Sequence, residues 1–405
     1  MSSSRLSSHR KGTSLSSSKT KSTAKTTATP RNAKSGKTAS SQKSTPHDPN
    51  FQQKLTDDHA LPYGCKYPDG SRPPLAGDWE AANRRLAQYR PSLSPSVFQE
   101  ELYQEFVDED AGAHDEDAVK ESVLPAMLKA MGASKGAQKN IWLGNLDPMA
   151  RDISQAQPDY YYGAQPEQLD PEVREELSKR IVPSSSTNLP IVPNFFLEAK
   201  GPNGSLAVAQ RQACHDGAIG ARAMHSLQTY GQSEPVYDNN LCAISTTYHG
   251  GTLKMYSHSV AQPNGPDTRP EYYMHQLKTY GMTSDKETFL KGATAFKNAM
   301  DLTREHRNAA IARANEIASQ TMGNEDDEEE DEDDENDDET DDEEVEATSS
   351  AIDSVMHSTL SKLAENDDDN DEDKSETEAE ANNDDDEDED ESETSVEDNH
   401  QRPPF

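Results

Sequence analysis

Two terminal runs of opposite charge confine any folded core to the middle of this 405-residue chain. Residues 1–50 carry ten Lys or Arg against the single acid Asp48, a net charge of +9. Residues 324–405 carry 41 acids against Lys362, Lys374 and Arg402, a net of -38. Neither run has the apolar surface needed to offset the entropy of ordering it, so both read as disordered. The whole-chain charge of -37 therefore averages over three different polymers, and residues 51–323 keep only -8. Their 273 residues suffice for one sizeable core.

The same sequence excludes several classes. Cys65, Cys214 and Cys242 are far apart and form no Cys-x-x-Cys pair, which argues against a zinc module and a disulfide scaffold and fits a reducing compartment. No apolar stretch approaches the ~18 residues that would span a bilayer, and the N-terminus has no apolar signal segment. Its Ser/Lys/Arg-rich composition is loosely that of a transit peptide, but Leu6 and Leu15 are too few to make an amphipathic helix. The basic tract suits a nuclear protein better than a cytoplasmic one. No glycine-rich phosphate loop or dinucleotide turn occurs.

Four segments follow from these boundaries: a basic Ser/Thr/Lys tail (1–50), an irregular Pro/Gly-punctuated arm (51–76), a folded α/β domain (77–322) and an acidic tail (323–405). Within the domain, Asp78 reads as an N-cap, and Ser94-Pro95 as the start of a helix with its stripe on Phe98, Leu102 and Phe106. A helix from Glu116 to Met131 must end or kink at Pro125. Strand signals are Asn140–Asn145, Pro158–Gly163 and, strongest, Asn194-Phe-Phe-Leu-Glu-Ala-Lys-Gly. Pro171–Ile181 reads as a surface helix and Leu206–Tyr230 as a long one. His249-Gly250-Gly251 turns a hairpin, Glu271–Gly281 reads as an edge strand or short helix, and a last helix runs from Phe289 to about Met322.

Chemistry concentrates at one strand end. Glu198 and Lys200 are two apart, so on a strand both face the same side, while Leu197 and Ala199 face the other. Asp159, on a neighbouring strand, can bring a second carboxylate to that spot. Two partly buried carboxylates repel unless a cation sits between them, and Mg²⁺, with its preference for hard oxygen ligands, suits the position. A second Glu-x-Lys, Glu372–Lys374, lies in the acidic tail without strand context. The same central pattern also fits a salt bridge capping a strand end.

The stretch from about Arg90 to Glu316 resembles an uncharacterised fungal domain family that belongs with the PD-(D/E)XK nuclease-like superfamily. The residues that carry the resemblance are Arg90–Ser96, Gln157-Pro-Asp-Tyr, Asn194–Gly201 and Gln210-Arg-Gln-Ala-Cys-His-Asp-Gly-Ala. It implies a restriction-endonuclease-like αβββαβ core of the α/β (α+β) class, a mixed sheet flanked by helices, with Mg²⁺ or Mn²⁺ chemistry on phosphodiesters of DNA or RNA. Matched residue by residue, Asp159 and Glu198 would be metal ligands, Lys200 the catalytic lysine, and Gln212 (less well Gln210) the helix glutamine. A first-helix acid would be Glu100, Glu101 or Glu105. Thirty-eight residues separate Asp159 from Glu198, more than a hairpin needs, which leaves Asp147 and Asp152 as substitutes. The superfamily also holds members that keep the fold without the activity. An enzyme is therefore one expectation, and a silent nuclease-fold binding module another.

Other features have blander readings. His215, His225, His249 and His258 form no i, i+4 pair. Tyr160 and Tyr162 share a face and fit core packing better than base stacking, and Arg304, Arg307 and Arg313 fit a solvated helix face. The acidic tail can contact histones or other basic proteins, or fold back on basic surfaces in competition with nucleic acid. Within it, Ile352, Val355, Met356, Leu360 and Leu363 fit a short helix over 351–363 that forms on binding.

Overall fold

The computed structural model describes residues 43–264 and 268–328, with side chains to residue 321. The expected basic tail up to residue 42, and the acidic tail from 329 on with its 351–363 helix, lie outside the described residues. Chain contacts divide the protein into Met1–Glu325 and Asp326–Phe405, and the architecture below is that of the first unit.

Its centre is a mixed seven-stranded sheet in the order β1-β7-β6-β5-β4-β3-β2. The strands are β1 (Ala60–Leu61), β2 (Gln138–Lys139), β3 (Tyr160–Ala164), β4 (Ile191–Lys200), β5 (Leu241–His249), β6 (Thr252–Ala261) and β7 (Glu271–Gly281). The middle pair, β4 and β5, runs parallel, because helix α8 (Leu206–Gln228) crosses over between them. The pairs β2–β3, β3–β4, β5–β6 and β6–β7 are antiparallel, and the two-residue β1 adds to β7 in parallel. A mixed α+β sheet flanked by helices is thus present.

Alternation along the strands builds two apolar layers. One side buries Tyr161, Phe196 and Tyr256 with the small-residue face of α8, and Ala310, Ile311 and Ala314 of α9 (Lys286–Glu328) join it. The other side buries Tyr160, Tyr162, Phe195, Leu197 and Tyr248 beneath α2 (Trp79–Leu86), α3 (Glu100–Gly112), α5 (Leu124–Met131) and the first half of α9. All ten residues of β4 are buried, as a strand covered on both faces requires. The tyrosine run is accordingly packed, not displayed.

Several elements depart from the sequence expectation for identifiable reasons. The arm 51–76 holds α1 (Phe51–Asp57), whose Phe51 and Leu55 are fully buried, and β1. Order even reaches Ser44, which bridges to Ile153. The segment 140–145 is no strand: Asn140 turns to φ 57° and Trp142 is 55% exposed. The helix expected at Ser94-Pro95 begins only at Glu100, since Ser94 bonds Ser96 within a turn. Pro125 does not break its helix, because a π-helical segment at Val119–Val123 precedes it and absorbs the missing hydrogen bond. The surface helix after β3 is two, α6 (Pro171–Glu176) and α7 (Ser178–Ile181), and together with the following loop they account for the long Asp159–Glu198 spacing. Arg307 is not solvated: 5% exposed, it donates to Asn194 Oδ1 at 2.5 Å and ties α9 to β4.

Helix α8 lies close enough to the sheet that its glycines matter. A Cβ on Gly217 would stand 2.0 Å from Nε2 of His258, a buried ring held at 2.7 Å from Ser245 Oγ. Gly217→Ala should therefore lower unfolding free energy by about 1–3 kcal/mol in urea titration, the usual cost of overpacking. His215, 2% exposed and edge-on to Phe51, is pushed by burial from 6.5 to about 3. A depressed folded pKa gives stability that is complete above pH 6.5 and lost as pH falls toward 3. The stability difference between wild type and His215→Gln should thus shrink by about 1.4 kcal/mol for each pH unit below about 6, again by urea titration.

Candidate functional site

Strand register assembles the site. Tyr160 pairs with Leu197 and Tyr161 with Phe196, so the residue before β3, Asp159, falls opposite Glu198. Asp159, Tyr161 and Phe196 share a parity, and the last two pack toward α8; Glu198 and Lys200 follow on that same face. The three expected residues are brought together, buried to 4%, 1% and 3% exposure respectively. Asp159 is locked there, its Oδ2 accepting the Ala199 N–H at 2.7 Å.

Two further acids complete the cluster. Glu116 opens α4 (Glu116–Ala118) behind Asp115, whose side chain caps the helix by accepting the Ala118 N–H at 2.8 Å. Glu116 Oε1 takes Lys200 Nζ at 2.8 Å and Lys120 Nζ at 2.7 Å. The helix start can approach β4 only because residue 201 is glycine, where a Cβ would stand 2.5 Å from the Glu116 amide nitrogen. The acids expected from the first helix do not reach the site. Glu100 pairs with Lys286, Glu105 with Lys129 at 2.7 Å, and Glu101 is exposed. Asp147 and Asp152 do not reach it either: Asp147 lies 3.7 Å from Arg180, and Asp152 is an exposed residue at φ 58°.

Asp216, 2% exposed, comes from the middle of α8 and faces Glu198. Sequence reasoning passed over it, although a lone acid on a helix face otherwise made of Ala209, Ala213, Gly217 and Gly220 was a signal that something polar lies opposite. Gln212 stands one turn before Asp216, its Oε1 buried and without a hydrogen-bond partner among the described residues. Gln210 turns elsewhere, donating to the Tyr256 hydroxyl at 3.3 Å.

The electrostatics fall into two halves. Lys120 Nζ stands 2.9 Å from Asp159 Oδ1 as well as on Glu116, and bridges the two acids. Burial opposes its charge, but Asp159 and Glu116 outweigh that and raise its pKa. Glu116 is likewise lowered, since its bonds to Lys120 and Lys200 overcome its own desolvation. The inner half lacks such compensation. Both carboxylate oxygens of Glu198 and Oδ2 of Asp216 are buried and take no N–H or O–H donor from any other described residue, while the two carboxyls lie within hydrogen-bond reach of each other, where one proton can bridge them. Burial, then the charges of Asp159 and Asp216, push Glu198 well above the usual carboxylate range. Burial first pushes Asp216 up to about 7.

Buried carboxylates without donors need either a shared proton or a cation. The donor set suits a hard divalent ion such as Mg²⁺ or Mn²⁺, with Glu198 and Asp216 offering free oxygens and Asp159 giving its oxygens to Ala199 and Lys120 instead. In the side-chain positions described, no group of three or more His, Cys, Asp or Glu is arranged around a common metal position among the described residues. Fit is therefore one of donor chemistry, not of a formed coordination shell. No helix among the described residues is long and apolar enough to cross a membrane.

Breaking the outer half should be costly. Glu116→Ala leaves the buried Lys200 ammonium without its carboxylate and should lower unfolding free energy by about 1–3 kcal/mol. Glu105→Ala, which removes only an exposed pair, should change it by less than about 1 kcal/mol in the same denaturant titration.

A family model described as a domain of unknown function, DUF7924, matches residues 98–314. No curated protein and no solved structure matches the chain.

Proposed function

The chain belongs to the DUF7924 family, whose description assigns no activity, and we propose that it is a metal-dependent phosphodiesterase of nuclease type acting on nucleic acid. The observation that carries this is the inner acid pair: a 1%-exposed Glu198 whose oxygens take no donor other than the neighbouring Asp216 carboxyl, next to an ammonium on the same strand face. Such a site is electrostatically incomplete, which is the condition under which an acid cluster gains most from a cation.

The roles follow from position. Glu198 and Asp216 would hold Mg²⁺ or Mn²⁺, and Asp159 would join them only if Lys120 gave up its Oδ1. The ion supplies Lewis-acid polarisation of a phosphodiester and lowers the pKa of a water. Lys200, oriented by Glu116 at 2.8 Å, places its ammonium where charge builds on phosphoryl oxygens. Gln212, with a free amide oxygen one turn from Asp216, orients a water proton. A nuclear location and acid-tail contacts with basic proteins are in keeping with that role.

A second reading rests on Lys120. Its ammonium already bridges Asp159 and Glu116, so the fold can also be a silent scaffold in which a lysine replaces the ion and the chain only binds its partner.

Thermal melts separate the two. Without metal, Glu198→Gln should melt above wild type, because it removes an acid whose ionisation burial and its two acidic neighbours oppose. With Mn²⁺ at 100 times its Kd, wild type should gain about 2.7 kcal/mol and the order should reverse. Lys200→Ala should keep the Mn²⁺-induced gain while losing metal-dependent cleavage of DNA and RNA at least about a hundredfold. Absence of any reversal, with no cleavage by wild type, rules out the enzyme and leaves the scaffold.

A further inference from the structure

A cavity of about 220 Å³ lies between α1, the Pro62-Tyr63 segment after β1, the first turns of α8 and Met274 of β7. Its walls carry an unused cation. Arg211 lines it, forms no hydrogen bond or ion pair with any described residue, and keeps its Nε shielded from solvent. A half-buried guanidinium that no described carboxylate pairs is favoured by an anion placed against it. Ala207 of the first turn of α8 lines the same space, and the N-cap residue Ser205 gives no side-chain bond to the first-turn amides. The positive end of a 23-residue helix therefore opens beside the guanidinium.

The lining also carries an aromatic ring. Tyr63 is 48% exposed, yet its ring is steadied by Tyr256 at a centroid distance of 6.0 Å. A half-exposed ring that a neighbouring ring steadies can serve as a stacking platform. Gln210, on the same lining, adds an amide whose N–H already donates to the Tyr256 hydroxyl. The volume is below the ~300 Å³ at which pockets for drug-sized ligands begin, and suits one planar ring with its anionic group.

We infer that this cavity takes one nucleotide of a single-stranded nucleic acid, with the base on Tyr63 and the phosphate on Arg211. Gln210 precedes Asp216 by six residues, about 9 Å along the helix, so a strand seated here passes close to the acid cluster. What the strand is held for rests on the phosphodiesterase reading; that it is held does not.

The test uses the full chain and a fluorescein-labelled oligo-dT in EDTA, where cleavage plays no part, read by anisotropy. Tyr63→Ala and Arg211→Gln should each raise Kd at least about fivefold, the lower bound for loss of one stacked base. The surface control Lys66→Ala should change it less than twofold. Circular dichroism checks folding, and should Arg211→Gln fail there, the exposed Tyr63→Ala decides alone. The inference is overturned if wild type does not bind, if the cavity variants bind like wild type through the basic N-terminal residues, or if a duplex competes as well as the single strand. Loss of cleavage with these binding differences intact would sink only the enzymatic reading.

Discussion

Everything at the candidate site depends on the pairing of β3 with β4. One register places Asp159 opposite Glu198 and lets the Asp159 carboxylate take the Ala199 amide at 2.7 Å. A slip by one residue would turn Glu198 and Lys200 to the face packed with Leu197, Tyr160 and Phe296, where no counter-charge waits. The apolar residues on either side of the motif therefore fix its chemistry: Phe196 must go under α8 and Leu197 under α9 and α5, and Glu198 follows by alternation.

The layer beneath α8 is polar to an unusual degree for a core. Glu198, Asp216, Ser245, Thr247 and His258 are each 2% exposed or less. Some of this is satisfied, as in the Ser245–His258 bond at 2.7 Å, and some is not, as at Glu198 and Thr247 Oγ1. Native cores leave few buried polar atoms unbonded, and those that remain concentrate where a ligand, proton or ion completes the set. The apolar contacts of α8, α9 and the sheet carry the stability that lets this patch stay incomplete.

The outer half of the site shows the opposite design. Glu116, Lys120, Asp159 and Lys200 compensate one another at 2.7–2.9 Å, and the π-helical turn that follows Glu116 carries the lysine into the cluster. Such turns recur at functional sites because they redirect side chains that a regular helix would send to solvent. One half is thus neutralised and the other is not, with the Lys120 ammonium on Asp159 at the boundary between them.

Much of this was legible in the chain itself. Strand alternation announced that Glu198 and Lys200 share a face, the apolar run before them announced burial, and the alanine-rich stretch announced a close-packed helix. What alternation and periodicity cannot encode is which distant segment comes to stand opposite a given face. Glu116 displaced Glu100, Glu101 and Glu105 because Gly201 admits the start of α4 against β4, and Asp216 entered because α8 crosses Glu198 at that turn. Local sequence sets the direction of each side chain through backbone geometry; only the packing of helices on the sheet, driven by burial of surfaces far apart in the chain, decided which charges meet.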